Sequence, residues 1–478
     1  MGQKLPGNPL KSIIWKHKRR LGIIIIGIIL FTIAYLDILG ILEPLGLNQD
    51  MRAAFGILLL AATLWITEAI PLYATSLIIV LSQILFISDR VVPEGDSLAA
   101  EALAPFFSPI IALFLGGFVL AAGLHKYDID VKIAKEMLRR AGKSPKNVML
   151  ALMSVTAFLS MWMSNTATTA LMVALAVPIY TQIPEEEKFK KAIILGIPFA
   201  ANVGGMGTPI GTPPNAIIME ELSGAGFSLT FLDWMILALP LTLIMLLFIF
   251  ILLYLAFKPS LDVLDIDFDE RKTTEGLSKI QQFVVAIFAI TVALWLLSSW
   301  EPIGDLFQHS GIIALIPAIA FFASGILDKD DLADLNWNVL LLMGGGLSLG
   351  NAMSLTELDE TIVELIPYEA MGLVIVILVF AAIGIILSTF MSNTATAAMM
   401  APIMIGIGMD LNSEISVMVS VALACSMAMA LPVSTPPNAI AYGTDIIDIK
   451  DMIKYGSLIS VVGVIILTII FGYGLYYY

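Results

Sequence analysis

Long apolar stretches alternate with short polar segments along this chain, and many of the stretches are 18 residues or longer. A run of that length with few charges is long enough to cross a bilayer as an α-helix. The pattern predicts eleven membrane-spanning helices, at 21–42, 53–70, 72–88, 106–125, 191–222, 230–257, 281–299, 310–327, 337–353, 415–446 and 455–477.

Two other apolar stretches, 147–179 and 371–407, do not fit this pattern, because each is too long for one helix and too short for two full spans. Each also carries a polar cluster near its middle. Non-helical backbone at membrane depth is tolerated where it is buried in protein or lines a wet cavity. We therefore predict a re-entrant helical hairpin in each stretch.

The distribution of basic residues agrees with this topology. When the N-terminus is placed in the cytoplasm, 23 of the 25 Lys and Arg residues fall on cytoplasmic segments, and Arg52 and Arg90 are the exceptions. Such a bias is the rule for cytoplasmic loops. It is lost if either hairpin is replaced by a simple span. We predict a multi-pass protein of the cell membrane with a cytoplasmic N-terminus and an external C-terminus.

Composition narrows the function classes. The chain is 59% hydrophobic and 13% charged, whereas soluble domains are about 25% charged. Scattered basic residues argue against nucleic-acid binding, and no phosphate-binding loop of an ATP-driven pump occurs. An intramembrane hydrolase needs a base or paired acids at its site. Asn165 and Asn393 cannot act as bases, so we do not expect an enzyme.

The chain repeats itself in a way that predicts an inverted repeat. Residues 163–168, Met-Ser-Asn-Thr-Ala-Thr, recur at 391–396, and residues 212–217, Thr-Pro-Pro-Asn-Ala-Ile, recur at 435–440. Five predicted crossings separate the copies, and an odd number turns one half upside down relative to the other. In transporters with inverted repeats the substrate site lies between the repeats near the midplane.

The Ser-Asn-Thr copies are the first candidate substrate-binding residues. Ser, Thr and Asn are preferred helix N-caps, and each copy is followed by a good helix-forming segment. The tip of each hairpin therefore presents free backbone N–H groups and the positive end of a helix, which favours an anion. The residues are Ser164, Asn165, Thr166, Ser392, Asn393 and Thr394.

The Thr-Pro pairs are the second set of candidates, Thr212, Pro213, Thr435 and Pro436. Pro breaks a helix but is tolerated in the first turn of the next one. Spans 191–222 and 415–446 are therefore expected to unwind at 204–214 and 431–437 and then restart. Four positive helix ends would converge. With no Lys or Arg in the predicted membrane core, an anion would be held by amide, hydroxyl and backbone donors.

These paired motifs, each Ser-Asn-Thr followed by Thr-Pro-Pro-Asn, resemble the divalent anion/sodium symporter family of di- and tricarboxylate transporters. The resemblance covers nearly the whole chain. It implies a homodimer that works by an elevator mechanism, with a scaffold (1–146 and 258–370) and a moving transport domain (147–257 and 371–478). Amphipathic segments 128–141 and 355–366 would be the arms that connect the two.

The resemblance also implies roles for particular residues. The substrate contacts would be Asn165, Thr166, Asn393, Thr394 and Pro436. One sodium site would use Ser160, Ser164, Asn165 and Gly211, and the other would use Ser388, Ser392, Asn393 and Ser434. Ser160 and Ser388 each precede the motif serine by four residues, which predicts a shared helical face. Sodium is the one ion expected, and no other cofactor.

The expected function is secondary active transport of C4–C6 carboxylates such as succinate, malate, fumarate, 2-oxoglutarate or citrate. Sodium-coupled symport and carboxylate exchange (antiport) both fit the residues. An anion channel, or transport of another divalent anion such as sulfate, stays open as an alternative.

Overall fold

The structure is a computed structural model that describes residues 9–264 and 276–474, and every regular element in those two ranges is helical. The predicted external C-terminus, at 476–478, and the first eight residues of the predicted cytoplasmic N-terminus lie outside them. The first fourteen helices are α1 (Pro9–Tyr35), α2 (Gln49–Thr67), α3 (Leu72–Phe86), α4 (Leu98–Leu103), α5 (Pro109–Lys126), α6 (Ile129–Ala141), α7 (Pro145–Ser160), α8 (Asn165–Tyr180), α9 (Phe189–Gly205), α10 (Pro213–Gly224), α11 (Phe231–Ala256), α12 (Lys279–Leu297), α13 (Glu301–Phe307) and α14 (Ser310–Ile313).

The remaining helices follow in the same order. They are α15 (Leu315–Ala323), α16 (Lys329–Ala333), α17 (Trp337–Leu355), α18 (Leu358–Glu364), α19 (Gly372–Phe390), α20 (Asn393–Asp410), α21 (Glu414–Ser426), α22 (Pro436–Tyr442) and α23 (Ile449–Ile469). A short π-helical turn, Ile470–Gly474, continues α23.

The chain divides into two compact units. One contains the chain up to Phe106 together with Leu341–Ile366, and the other contains Phe107–Leu340 and the chain from Pro367 onward. In the first unit α2 packs against α1 and α3. The division into scaffold and transport domains concerns movement, which these units do not test, and it stays a prediction.

Close helix packing in the first unit depends on a glycine. A Cβ atom on Gly345 of α17 would lie 2.2 Å from Cβ of Ser76 in α3, so a larger residue would separate the two helices. The same helices share a buried polar contact, since Gln83 Nε2 donates to the Ser348 carbonyl at 3.0 Å. A buried amide is costly without such a partner.

In the second unit the two sequence repeats interlock. Helices α7 and α8 pack against α9, and α19 and α20 pack against α21. The second helix of each hairpin also packs against the restarted helix of the other repeat, α8 against α22 and α20 against α10. This crosswise packing joins the two Ser-Asn-Thr segments to the two Thr-Pro-Pro-Asn segments within one unit.

Both predicted hairpin segments are pairs of helices, broken at 161–164 and at 391–392. Within the described ranges, seven helices are long and apolar enough to cross a bilayer, or eight when α13 and α14–α15, bent by 75°, count as one span. The 19-residue α19 is one of the seven. The count of eleven spans and the re-entrant path of the hairpins stay predictions.

The predicted helix breaks are confirmed, with shifted boundaries. Span 191–222 is interrupted between Gly205 and Pro213, and span 415–446 is interrupted between Ser426 and Pro436. The second break starts four residues earlier than expected. The first span ends at Tyr35 rather than at residue 42. The Asp37 carboxylate accepts N–H groups of the residues that follow, which stops the helix.

Candidate functional site

The two Ser-Asn-Thr segments form the same helix cap. Ser164 Oγ accepts the Ala167 N–H of α8 at 3.2 Å, and Ser392 Oγ accepts the Ala395 N–H of α20 at 3.1 Å. Asn165 and Thr166 in one hairpin, and Asn393 and Thr394 in the other, lie in the first turn of the helix. The backbone N–H groups of a first turn have no partner inside the helix. Each hairpin therefore carries a capped helix start with backbone donors left over for a ligand.

A hydroxyl–amide contact is repeated in both hairpins. Ser160 Oγ donates to Asn165 Oδ1 at 2.5 Å, and Ser388 Oγ donates to Asn393 Oδ1 at 2.6 Å. The amide oxygens are thereby occupied, and neither Asn Nδ2 has a hydrogen-bond partner within the described part of the chain. Each Asn thus keeps two N–H donors for an acceptor outside the protein.

The prediction that Ser160 shares a helical face with Ser164, and Ser388 with Ser392, is wrong, because a helix break separates the two serines of each pair. Helix α7 ends at Ser160, and the chain turns before α8 begins. The turn brings the Ser160 hydroxyl to the Asn165 amide, one residue past the motif serine. Spacing alone assumes a continuous helix, which the turn does not provide.

Three oxygen atoms lie close together where the second hairpin meets α21. Ser388 Oγ lies 2.6 Å from Asn393 Oδ1 and 2.9 Å from the carbonyl oxygen of Cys425. A hydroxyl carries one proton and cannot donate fully to two acceptors. A group of oxygens with too few protons is the kind of environment that a small hard cation completes.

The Asn residues of the Thr-Pro-Pro-Asn segments stabilise the unwound backbone at the two helix breaks. Asn215 Nδ2 donates to the Thr208 carbonyl at 2.8 Å, and Asn438 Nδ2 donates to the Leu431 carbonyl at 3.0 Å. These are equivalent positions of the two repeats. Sequence reasoning selected only the Thr and Pro of each motif, although the Asn is repeated as well.

Each break is also fixed to its own hairpin. Thr208 Oγ1 donates to the Met161 carbonyl at 2.5 Å, and Ser434 Oγ donates to the Thr389 carbonyl at 3.1 Å. Met161 and Thr389 occupy equivalent positions, 228 residues apart. The hairpin turn and the unwound stretch are therefore held together in each repeat.

One buried side chain connects the two repeats. Asn202 of α9 is 1% exposed, and its Nδ2 donates to Thr435 Oγ1 at 3.2 Å and to Asn438 Oδ1 at 3.3 Å. Sequence reasoning missed Asn202. The available signal was an amide within an otherwise apolar run.

The residues predicted to bind the substrate differ in solvent exposure. Thr166 and Pro436 are exposed, whereas Thr394 is 7% exposed, and Thr212 and Thr435 are 4% exposed. Helix α22 has only seven residues, so its positive end is weaker than the pattern of four equal helix ends assumes. The substrate and sodium roles of these residues stay predictions.

A cavity of about 360 Å³ lies beside the first hairpin turn. The turn contributes Ser164 and Ala167, the end of α5 contributes Lys126, and the segment around α16 contributes Asp331 and Asp334. Lys126 Nζ lies 2.5 Å from Asp331 Oδ2 and 3.3 Å from Asp328 Oδ2.

The surroundings of the Asp328 carboxyl favour its ionised form, which can pair with Lys126. Backbone N–H groups of Asp331 and Asp330 hold the pKa of Asp328 below its ordinary value, and the Lys126 ammonium acts in the same direction. The group therefore stays ionised at neutral pH.

Comparison with known proteins shows which family the chain resembles. The sequence model described as "Sodium:sulfate symporter transmembrane region" matches residues 23–477. A Staphylococcus saprophyticus protein, sodium-dependent dicarboxylate transporter SdcS, is 32% identical over 479 residues, 93% of this chain and 90% of that protein. The inorganic phosphate transporter PHO87 of Saccharomyces cerevisiae is 32% identical over 352 residues, 72% of this chain and 37% of PHO87.

Among solved structures, the YdaH transporter of Alcanivorax borkumensis matches with a TM-score of 0.57 over 79% of this chain and 88% of that one. At 15% identity this shows a shared fold and nothing about substrate. The family match spans nearly the whole chain, and its members are transporters rather than enzymes. The chain belongs to the divalent anion/sodium symporter family.

Proposed function

We propose that this protein is a secondary active transporter that moves C4–C6 di- and tricarboxylates together with sodium ions. The observation that carries the proposal is the repeated hydroxyl–amide contact, Ser160 to Asn165 and Ser388 to Asn393. It orients each amide so that the oxygen belongs to a protein oxygen cluster and the nitrogen is left to bind an anion.

Carboxylate binding follows from the donors. Two Asn amides and the first-turn N–H groups of α8 and α20 supply hydrogen bonds to carboxylate oxygens, and the positive helix ends add favourable charge. These donors carry no full positive charge. A di- or trianion bound by them alone would remain poorly neutralised, so bound cations would strengthen its binding.

Sodium binding follows from the oxygens. In the second repeat, Ser388 Oγ, Asn393 Oδ1 and the Cys425 carbonyl lie close together. In the first repeat the space is kept by glycine, since a Cβ on Gly205 would lie 2.4 Å from Asn165 Oδ1. The relative SdcS is named as sodium-dependent, which supports symport over sodium-independent exchange.

The proposal includes an elevator movement in a homodimer. The junction before α6 contains Asp128 with φ of 53°, and the junction before α18 contains Glu357 with φ of 60°. Both are non-glycine residues in the left-handed region, which is uncommon. The chain therefore turns sharply at the start of both α6 and α18. A matching turn is expected if these two helices are the equivalent arms that link the scaffold to the transport domain in each repeat.

Substitution of the two Asn residues tests the site. Asn165→Ala and Asn393→Ala should each abolish succinate uptake in proteoliposomes. Each substitution removes two N–H donors for the substrate and also removes the amide oxygen that contacts Ser160 or Ser388. Asn147→Ala is the matched control, since Asn147 is exposed at the start of the same hairpin. Uptake that survives in both site variants, with folded protein, would refute the site.

Coupling needs a separate experiment. Labelled succinate uptake is followed into empty vesicles and into vesicles loaded with unlabelled succinate, with and without an inward sodium gradient. Symport predicts sodium-driven uptake into empty vesicles. Uptake that needs internal substrate and ignores sodium would establish exchange instead, and saturable counterflow would exclude a channel.

A tetrahedral oxyanion is the second candidate substrate. The family description names sulfate, and the relative PHO87 is named as a phosphate transporter. Unlabelled sulfate and phosphate should compete weakly with labelled succinate if the carboxylate proposal holds. Competition stronger than that of succinate itself would favour the oxyanion.

A further inference from the structure

The cavity beside the first hairpin has the dimensions of a ligand site. Its volume of about 360 Å³ lies within the range of roughly 300–1,000 Å³ found for small-molecule pockets. Ser164 and Ala167, at the start of α8, form part of its wall. The cavity therefore reaches the same helix start that presents Asn165 and Thr166.

A cation lines this cavity. Lys126 is the last residue of α5, and its side chain is 33% exposed. Its ammonium group lies between the carboxylates of Asp328 and Asp331. Asn165 and Asn393 offer only neutral donors, so Lys126 supplies what the hairpin tips do not have.

The partners of Lys126 do not depend on it. Asp328 Oδ1 accepts the N–H groups of Asp330 at 2.8 Å and Asp331 at 3.2 Å, and Asp331 Oδ2 accepts the Asp328 N–H at 2.7 Å. Both carboxylates are therefore held by the backbone at the start of α16. If Lys126 moves from Asp331 to the carboxylate of a ligand, Asp328 and Asp331 both keep their hydrogen bonds to backbone N–H groups.

We propose that this cavity is a second substrate site, in which the Lys126 ammonium binds a carboxylate of the transported ion in exchange for Asp331. The inference rests on the proposed carboxylate transport. The site would hold the ion between the hairpin tip and the solution on the side of the membrane that the basic residues mark as cytoplasmic. Asp328, Asp331 and Asp334 limit its affinity by repulsion, which keeps the ion from being trapped there.

The proposal predicts opposite effects for the two members of one ion pair. Lys126→Gln removes the cation and should raise the KM for succinate at that face about fivefold or more. Asp331→Asn removes the competing charge but keeps an acceptor for the Asp328 N–H, and it should lower the same KM. A purely structural ion pair would be broken by either substitution, so both variants would then change KM in the same direction.

A second lysine provides a matched control. Lys191 Nζ contacts Asp448 Oδ2 at 2.7 Å and Asp451 Oδ2 at 2.6 Å, and these aspartates form a capping box at the start of α23. Neither Lys191 nor its partners line the cavity. Lys191→Gln and Asp451→Asn should therefore leave the KM for succinate within twofold of the unaltered protein.

The measurement uses purified full-length protein in proteoliposomes, with one orientation silenced by a membrane-impermeant reagent, and initial rates of labelled succinate from each face. Opposite shifts in KM at one face, with kcat within about twofold, support the second site. Shifts of the same sign, or none in Lys126→Gln, overturn it. Failure of the unaltered protein to transport succinate, malate, fumarate, 2-oxoglutarate and citrate would instead refute the proposed function.

Discussion

The two repeats use the same bonds with different residues. Both attach the unwound stretch to the hairpin carbonyl at Met161 or Thr389. The donor in the first repeat is Thr208, and the donor in the second is Ser434, three positions later in the equivalent stretch. The repeated element is thus a hydroxyl that reaches one carbonyl, and the position of that hydroxyl is free to change.

The hairpin turns differ more strongly. Trp162 in the first turn is 8% exposed and stacks on Phe231, with ring centroids 6.2 Å apart, and Phe231 stacks in turn on Trp295 at 4.8 Å. Phe390, the equivalent residue in the second turn, is 66% exposed. The first turn is anchored to α11 and α12, whereas the tip residue of the second turn has little packing to hold it.

The largest expected effect comes from a glycine that only the first repeat has. Gly205→Ala should abolish succinate uptake, because the new Cβ would displace Asn165 Oδ1 from 2.4 Å away. The equivalent residue in the second repeat is Ala428, so Ala428→Gly is the control and should retain most uptake. Equal losses of succinate uptake in Gly205→Ala and Ala428→Gly would contradict the special requirement for glycine in the first repeat.

Stability should separate the two turns. Trp162→Ala should cost about 3–5 kcal/mol, as is usual for a buried aromatic residue. Phe390→Ala should change stability by about 0.5 kcal/mol or less, as for most surface substitutions. Melting temperatures in detergent test this. Equal losses would show that Phe390 is packed as tightly as Trp162.

The connection between the repeats should have an intermediate effect. Asn202→Ala leaves the buried Asn438 Oδ1 without the donor it has in the described structure, whereas Thr435 Oγ1 still accepts the Asn438 N–H. Such an unpaired buried polar group costs about 1–3 kcal/mol. Cys425→Ala at the equivalent position removes a thiol and retains the carbonyl that Ser388 contacts, so it should cost less. Chemical unfolding of both variants gives the comparison, and a larger loss for Cys425→Ala would contradict it.

The smallest predicted effect compares the two proposed cation sites. Ser388→Ala should weaken sodium activation of uptake about tenfold, which corresponds to about 1.4 kcal/mol. Ser160→Ala should weaken it by less, because within the described residues Ser388 Oγ is hydrogen-bonded to two oxygens and Ser160 Oγ to one. Sodium titrations of initial uptake rates test the order, which would be reversed if the first repeat held the tighter site.

Much of the site was predictable because it is repeated. The caps formed by Ser164 and Ser392 and the breaks before Pro213 and Pro436 depend on local chemistry, which a few neighbouring residues determine. Asn202 was not predictable in this way. Its partners Thr435 and Asn438 lie more than 230 residues away, and the sequence contains no second copy to mark it.

By itself, the sequence determined the helical membrane class, the duplicated motifs, the helix caps and the helix breaks, since hydrophobic length, capping and proline act over short distances. Tertiary structure alone decided that Asn202 meets Thr435 and Asn438, that each hairpin packs against the opposite repeat, and that Lys126 lines the cavity beside Ser164. Those contacts depend on how separate helices turn and pack, and no local pattern encodes the position of a distant partner.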